Sequence, residues 1–356
     1  MDYREFMEQV KKDLPEQLSG VLEGATVDTT QVDKLQGRSY EGLSIVPEGS
    51  IIGLTMDLQP YFQMFNDGMA YENIVEQIAD RAAGAYADRP AVTAEDFGNY
   101  EAVKDKLMIQ LIGRKRNEEM LKTIPNHPIE DMEIVYRFHV QDTEMGQASA
   151  LVTNSMLEHY GITAGQLQQD AFASAVSHKP FEIKTMAEVM NELMGAEIIP
   201  EDAMHIYVAS NQERIHGAGV IAYPKFMEEA EKRLGGDFYV LQSSIHEVIL
   251  IPDTPDVSVM ELQEMVQSVN MEQVAPEERL SDHVYHYDSK EKLFERTDKY
   301  ESRKLNQEFD DKNVRPSVLW TLRLNQKDCS EKPHKGTEAP RRDETALQKS
   351  IFQKNI

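Results

Sequence analysis

Between residues 204 and 270 the hydrophobic period changes every few residues, and that alternation restricts the possible folds more than any other feature of the chain. MHIYVAS (204–210) and GVIAY (219–223) are short runs rich in β-branched and aromatic residues, the composition of strands. Pro224 opens and Gly235 closes a helical pattern. DFYVL (237–241) and IHEVILI (245–251) read as two further strands joined by a turn at Gln242-Ser243-Ser244. Ser258 and Glu261 then have capping-box spacing ahead of the stripe Val259, Leu262, Met265, Val266, Val269. The resulting order, ββαββα over about 204–270 with hairpin-length links, predicts an α+β fold: mainly antiparallel sheets flanked by helices.

Other segments agree with that class. Tyr3, Phe6, Val10 and Leu14 share one side of a helix. YEGLSIV and SIIGLTM around Pro47-Glu48-Gly49 predict a hairpin from Tyr40 to Met56. Ile74, Ile78, Ala82 and Ala85 mark a helix that must stop before Pro90. Met132, Ile134, Tyr136, Phe138 and Val140 alternate with polar residues, which predicts a half-buried strand, with ASALVT (148–153) as its antiparallel neighbour. Thr163 with Gln166 and Thr185 with Glu188 are further helix starts, the second followed by the stripe Met186, Val189, Met190, Leu193. The chain divides by composition into an N-terminal helical segment (1–37), a body (38–300, with a possible split near 145–200) and a charged tail (301–356) expected to be largely disordered. Within the tail, SVLWTLRL (317–324) holds the only Trp and reads either as a docking helix or as an apolar fragment.

Charge and cysteine content narrow the functional classes. The chain carries 37 Lys and Arg against 62 Asp and Glu, a net charge of −25. Residues 301–356 hold 12 basic and 9 acidic residues, so the rest holds 25 and 53. A surface so acidic repels phosphate backbones, and direct nucleic-acid binding is not expected. Solubility explains the acidity without further assumption; the alternative is a face for a basic protein partner. No run of about 18 apolar residues exists, so no membrane span is expected. The N-terminus lacks the apolar core of a secretory signal, and one cysteine, Cys329, excludes an internal disulfide. These features predict a cytoplasmic protein without a cofactor.

HGAGVIAYP, GGDFYVLQSSIHEVILIPD and QVAPEERLSDHVYHYD, in that order, resemble segments of an uncharacterised family of gut Firmicutes known as domain of unknown function 5688. NYEAVKDKLMIQLIGRKRNEEMLKTIPNHPIEDMEIVYRF is similar to its N-terminal half, and the likeness covers roughly residues 38–290. The resemblance implies a gene carried on a mobile element. It implies no catalytic residues, because the family has no assigned activity.

Candidate chemistry is thin. Ser243, Ser244, His246 and Glu247 supply the three residue types of a serine triad. On a strand, however, His246 and Glu247 point to opposite faces, so Glu247 cannot orient His246. His246 would instead share a buried face with Val248 and Leu250. His216-Gly217-Ala218-Gly219 superficially resembles an oxyanion loop, but no GxSxG elbow accompanies it, and it reads instead as a glycine-eased hairpin turn linking 204–210 to 219–223. No GxxxxGK[ST] or GxGxxG phosphate loop is present. Asp282, His283 and His286 are the best local metal set, although VYHY reads as a strand that would separate His283 from His286. His127 with Glu130 and Asp131 is a weaker set of the same kind. Three expectations follow. The first is an accessory protein acting through a protein partner. The second is an enzyme with a pocket near His216, Ser244, His246 and Glu247. The third is an acidic inhibitor of a DNA-binding defence protein.

Overall fold

A computed structural model describes residues 1–32, 35, 39–48, 53–88, 97–143, 146–200, 205–242 and 244–311, with the backbone alone at 142, 143, 146 and 309–311. Ser243, Gly49 of the first turn, Cys329 and the segment 317–324 therefore lie outside the described residues. Two compact units divide the chain: Met1–Phe181 with Asn211–Pro224, and Glu182–Ser210 with the chain from Lys225 onward.

In the first unit, α1 (Tyr3–Leu18) begins with a capping box: Asp2 Oδ1 accepts the Glu5 N–H and the Glu5 carboxylate accepts the Asp2 N–H, both at 2.9 Å. Its stripe buries Phe6, Met7, Val10, Leu14 and Leu18. These share a core with Leu43 and Ile45 of a three-stranded sheet, β1 (Thr26–Val32), β2 (Tyr40–Val46) and β3 (Leu54–Met56). The helices α2 (Gln59–Asn66) and α3 (Tyr71–Ala87) complete that core. The expected hairpin is present as β2 and β3, with Leu43 opposite Met56. The α3 helix stops at Ala87, ahead of Pro90, and buries Ile74, Ile78 and Ala82, while Ala85 is exposed. β1, which pairs with β2 along its whole length, has no sequence forecast because TVDTTQV holds only two apolar residues.

A second sheet follows, formed with α4 (Tyr100–Val103), β4 (Leu107–Gly113), α5 (Glu118–Leu121), β5 (Asn126–Ile129), β6 (Met132–Thr143) and β7 (Gly146–Leu151). β6 is the hub, antiparallel to β4, β5 and β7. The β6–β7 pairing is the one expected, but β6 is not half-buried: Glu133 is as inaccessible as Ile134. Its polar residues are held rather than solvated. Glu133 meets Arg114 at 2.6 Å, and the Arg137 Nε donates to Ser149 Oγ at 2.8 Å. The helices α6 (Asn154–Tyr160) and α7 (Ala164–His178) start from Thr153 and Thr163, whose hydroxyls accept first-turn N–H groups. The α7 helix packs on β4.

GVIAY, expected as a strand, instead forms a 3-10 turn over Gly217–Ala222 that packs on β4, where a Cβ at Gly219 would lie 3.4 Å from the Ile109 carbonyl oxygen. The reason is that Gly217–Ile221 is buried on every side, and a short apolar run without a solvent face does not distinguish strand from helix.

The second unit holds β8 (Phe181–Thr185), α8 (Met186–Met194), β9 (Tyr207–Asn211), α9 (Phe226–Leu234), β10 (Phe238–Leu241), β11 (Val248–Pro252), α10 (Val259–Glu272), β12 (Val284–Asp288), β13 (Leu293–Arg296) and α11 (Thr297–Asp311). Its six strands lie in the order β13-β12-β10-β11-β9-β8. The four pairs from β13 to β9 are antiparallel. One face of the sheet, through Tyr239, Leu241, Ile251 and Val284, receives Leu262 and Val266 of α10. Ile206 belongs both to this cluster and to the one where Met186, Val189 and Met190 of α8 meet Val208, so α8 and α10 cover the same face. The α+β class thus stands, with the 3-10 turn in place of one strand and with β11 beginning at Val248 rather than Ile245. The charged segment 301–311, expected to lack structure, continues α11.

Gly235 ends α9 in the left-handed region at φ +87°, and its N–H donates to the Glu231 carbonyl at 2.8 Å. No atom lies within 4 Å of a Cβ built there, so a side chain would meet backbone strain without a clash. Replacing Gly235 with Val should cost about 1–3 kcal/mol, read as a lower urea midpoint at unchanged slope. Parental stability in that variant would refute the left-handed cap.

Candidate functional site

Ser244, Ile245, His246 and Glu247 lie in the connection between β10 and β11, not on a strand. A second loop holds that connection in place. Ser244 bridges Arg279, the Ile245 N–H donates to the Glu278 carbonyl at 2.9 Å, and the Ser281 N–H donates to the Gln242 carbonyl at 3.0 Å. The opposed-face argument for His246 and Glu247 therefore lapses, and His246 is partly exposed rather than buried beside Val248 and Leu250. Its Nε2 lies 3.4 Å from Glu278 Oε1, so the carboxylate beside the imidazole is Glu278. Ser244 Oγ accepts the His246 N–H at 3.1 Å, and Ser210 Oγ donates to the His246 carbonyl at 2.8 Å. The first of these is a turn-type bond to backbone. Among the described residues, the fully buried Gln242 side chain finds a hydrogen-bond partner for neither its amide oxygen nor its nitrogen. His216 belongs to the first unit, in the left-handed region at φ +53° ahead of the 3-10 turn, whereas Ser244, His246 and Glu247 belong to the second.

A different histidine anchors the densest polar cluster. β12 is a strand, and His286 on it is fully buried, in register with Tyr239 on one side and Glu295 on the other. His286 Nε2 lies 3.0 Å from Asp253 Oδ2, the Tyr239 hydroxyl donates to Asp253 Oδ1 at 3.1 Å, and the Tyr300 ring stacks on the imidazole at 3.7 Å and 20°. Asp237 completes a group in which one ligand atom from each of Asp237, Asp253 and His286 lies within 4.8 Å of the others. One imidazole and two carboxylates form a donor set that divalent cations accept. Here, however, the donors are already engaged, since Asp237 Oδ1 accepts the Ser289 N–H at 2.9 Å and Asp253 takes its bonds from Tyr239 and His286. Of the sequence set Asp282, His283 and His286, only the last enters this cluster. Asp282 is exposed and accepts from Asn270 Nδ2 at 2.6 Å, and the His283 N–H donates to Ser281 Oγ. His127 is exposed on β5, with Glu130 and Asp131 in the turn that follows.

Two residues along β12 from His286, Asp288 is also fully buried. Burial alone would raise its pKa, but the Glu291 N–H at 3.0 Å, Arg303 Nη2 at 3.0 Å and Lys304 Nζ at 3.1 Å hold the carboxyl well below its ordinary range. Arg303 Nε also donates to Glu295 at 2.7 Å. The His286 contact likewise lowers the Asp253 carboxyl. Sequence reasoning missed Arg303, Tyr300, Asp253 and Asp288, because their partners are distant in the chain.

The third feature is a cleft of about 780 Å³ at the C-terminal end of α8, lined by Glu188, Asn191, Glu192 and residues 195–200. Asn191 shapes it: its Oδ1 accepts the N–H groups of Ile198 and Ile199 at 2.9 Å, and its Nδ2 donates to the Ile199 carbonyl at 2.8 Å. Of its lining residues Ile198 is 66% exposed; Leu193 and Met194, at the end of α8 but outside that lining, are 36% and 46% exposed, although Leu193 ends a stripe whose first three members are buried.

A family model described as a family of unknown function (DUF5688) matches residues 3–289, and the chain belongs to that family. No curated protein and no solved structure matches it.

The polar seat of α11 has a pH signature. Asp253 and Asp288 have depressed folded pKa values, so the stability they contribute is present above the unfolded carboxyl value of about 3.9 and lost as pH falls through the folded ones. Arg303→Ala should cost about 2–4 kcal/mol, because it strips a buried carboxylate of its main counter-charge. It should also move acid unfolding, followed by circular dichroism, to higher pH. An unchanged acid transition would show that Arg303 does not hold Asp288 in solution.

Proposed function

We propose that this chain is a binding protein that docks an apolar, basic segment of a protein partner in the cleft at the end of α8. One observation carries the reading: Ile198, 66% exposed, lines a concave site beside Ile199 and Pro200 on a chain of net charge −25. An exposed apolar side chain on a flat surface is ordinary, but one set in a cleft is what docking sites present. Basic partners are favoured over acidic ones by the field of the whole chain. A further part of the same proposal is an accessory role for a cytoplasmic protein of a Firmicutes mobile element.

Ile198→Glu tests this without disturbing a core, since Ile198 is exposed. From a lysate of the native host, the parent should retain a partner that the variant loses and that high salt weakens. Identical capture by both proteins would remove the cleft from the proposal. Capture of DNA-binding proteins in particular would turn it towards the inhibitor expectation.

A second reading has its own support, the His246–Glu278 pair beside Ser244 and the unpartnered Gln242 amide. It assigns the loop to acid–base chemistry, with Glu278 orienting the imidazole. His246→Ala should be nearly as stable as the parent, within about 1 kcal/mol, because the pair is partly exposed. Hydrolysis of an activated ester by the parent and not by that variant would carry this reading. Equal background rates would end it.

A further inference from the structure

We infer that Arg137 anchors a binding site for a small monocarboxylate, formed by β6, β4 and β7 of the first unit. The site shares no residue with the α8 cleft and stands apart from the docking proposal.

Arg137 lies on β6 with Met108 of β4 opposite it on one side and Leu151 of β7 opposite it on the other. Register partners in an antiparallel pair share a face, so the guanidinium has apolar neighbours on both adjoining strands. Val135, two residues earlier on the same face, is buried, and Gln110 stands opposite it. Loss of water among these residues holds the guanidinium below its ordinary pKa. Arg137 is nevertheless only half-buried, so a small solute can reach it.

A cation in such surroundings calls for a counter-charge. Among the described residues no carboxylate pairs with Arg137, and its hydrogen bonds go to neutral groups. Its Nε donates to Ser149 Oγ at 2.8 Å, Nη2 to the Ser149 carbonyl at 3.2 Å and Nη1 to Gln110 Oε1 at 3.5 Å. Arg114 and Arg303, which also reach into sheets, each meet a carboxylate at 3.0 Å or less. A chain with 62 Asp and Glu has no shortage of such partners, so the neutral setting of Arg137 is a property of the site.

The donors left over define the ligand. Ser149 takes the side of the guanidinium between Nε and Nη2. The end between Nη1 and Nη2 has only the Gln110 contact, which is long for a hydrogen bond. Facing a cation, the Gln110 amide presents its oxygen and Ser149 its lone pair, so their hydrogens are turned to other uses. Among the described residues, neither Gln110 Nε2 nor the Ser149 O–H finds an acceptor. One positive charge with three donor groups and no acceptor is the complement of an oxyanion. The two coplanar oxygens of a carboxylate match the end of the guanidinium fork. On a chain of net charge −25, a single negative charge is also opposed less than the double charge of phosphate. Met108 and Leu151 beside the guanidinium favour an acid with an apolar body.

Benzoate is the probe. Calorimetric titration of the full-length chain should show one saturable event per chain, and Arg137→Gln should weaken it by about tenfold or more, the worth of a charge-assisted bond. Benzoate should raise the melting temperature of the parent and leave that of Arg137→Gln unmoved, a difference that a merely structural arginine would not produce. Ser149→Ala keeps the charge but releases the fork, and it should weaken benzoate several-fold; it carries the test if Arg137→Gln does not fold. Benzamide, of the same shape without the charge, should not bind, and inorganic phosphate should bind more weakly than benzoate. Ile198→Glu should bind benzoate as the parent does, so a failed partner capture leaves this site untouched. Absence of a saturable event overturns the inference, and so does binding that both Arg137→Gln and Ser149→Ala retain. Equal affinity for benzamide overturns it as well, and phosphate binding more tightly than benzoate overturns the assignment to carboxylates.

Discussion

A carboxylate removed from water must find its counter-charge inside the protein, and Asp288 imposes that condition on the second unit. It sits at the end of β12, and the cations that satisfy it, Arg303 and Lys304, come from the helix that ends the described chain. Arg303 is shared with Glu295 on β13, so a single guanidinium ties an edge strand, its neighbour and α11 together. Tyr300 lies one turn earlier on the same helix and closes over His286. Charge neutralisation and ring stacking therefore act on one surface. The four-residue spacing of Tyr300 and Lys304 is the helical repeat that lets them do so.

The parts of this fold that could be read in advance are those whose partners are close in sequence. The α1 stripe, the β2–β3 hairpin, the β6–β7 pair and the Thr185 cap each need only local periodicity and a turn or cap residue. Failures occur where a distant segment supplies the environment. β6 alternates as though one face met water, yet Arg114 and Ser149 receive its polar residues. GVIAY has strand composition but is enclosed on all sides, which removes the solvent face that gives a strand its period. Residues 245–247 read as strand because they are contiguous with VILI, whereas the Ile245 N–H goes to the Glu278 carbonyl and the His246 carbonyl to the Ser210 hydroxyl.

The candidate sites follow the same rule. Ser244 and His246 were visible as reactive types, but the carboxylate that meets His246 lies at Glu278, beyond any local motif. His286 was visible as part of SDHVYHYD, yet its partners come from β11 and α11. The α8 cleft had the faintest signal of all, because it is shaped by Asn191 holding the chain at residues 198 and 199, and no local period marks such a contact. A helical charge pattern such as KYESRKLNQEF, in turn, reads as solvated chain until the acids it faces are known.

The path of the chain carries a genetic corollary. Residues 211–224 belong to the first unit although the sequence on both sides of them belongs to the second. The polypeptide therefore passes between the units three times, after residues 181, 210 and 224. No single crossover within such a gene can exchange one unit and keep the other whole. Recombination that shuffles modules at one boundary would leave a sheet without β8 and β9, or a 3-10 turn without the strand it covers. The two units are in this sense a single heritable block, and variation between relatives should accumulate by substitution within it and by change at its ends.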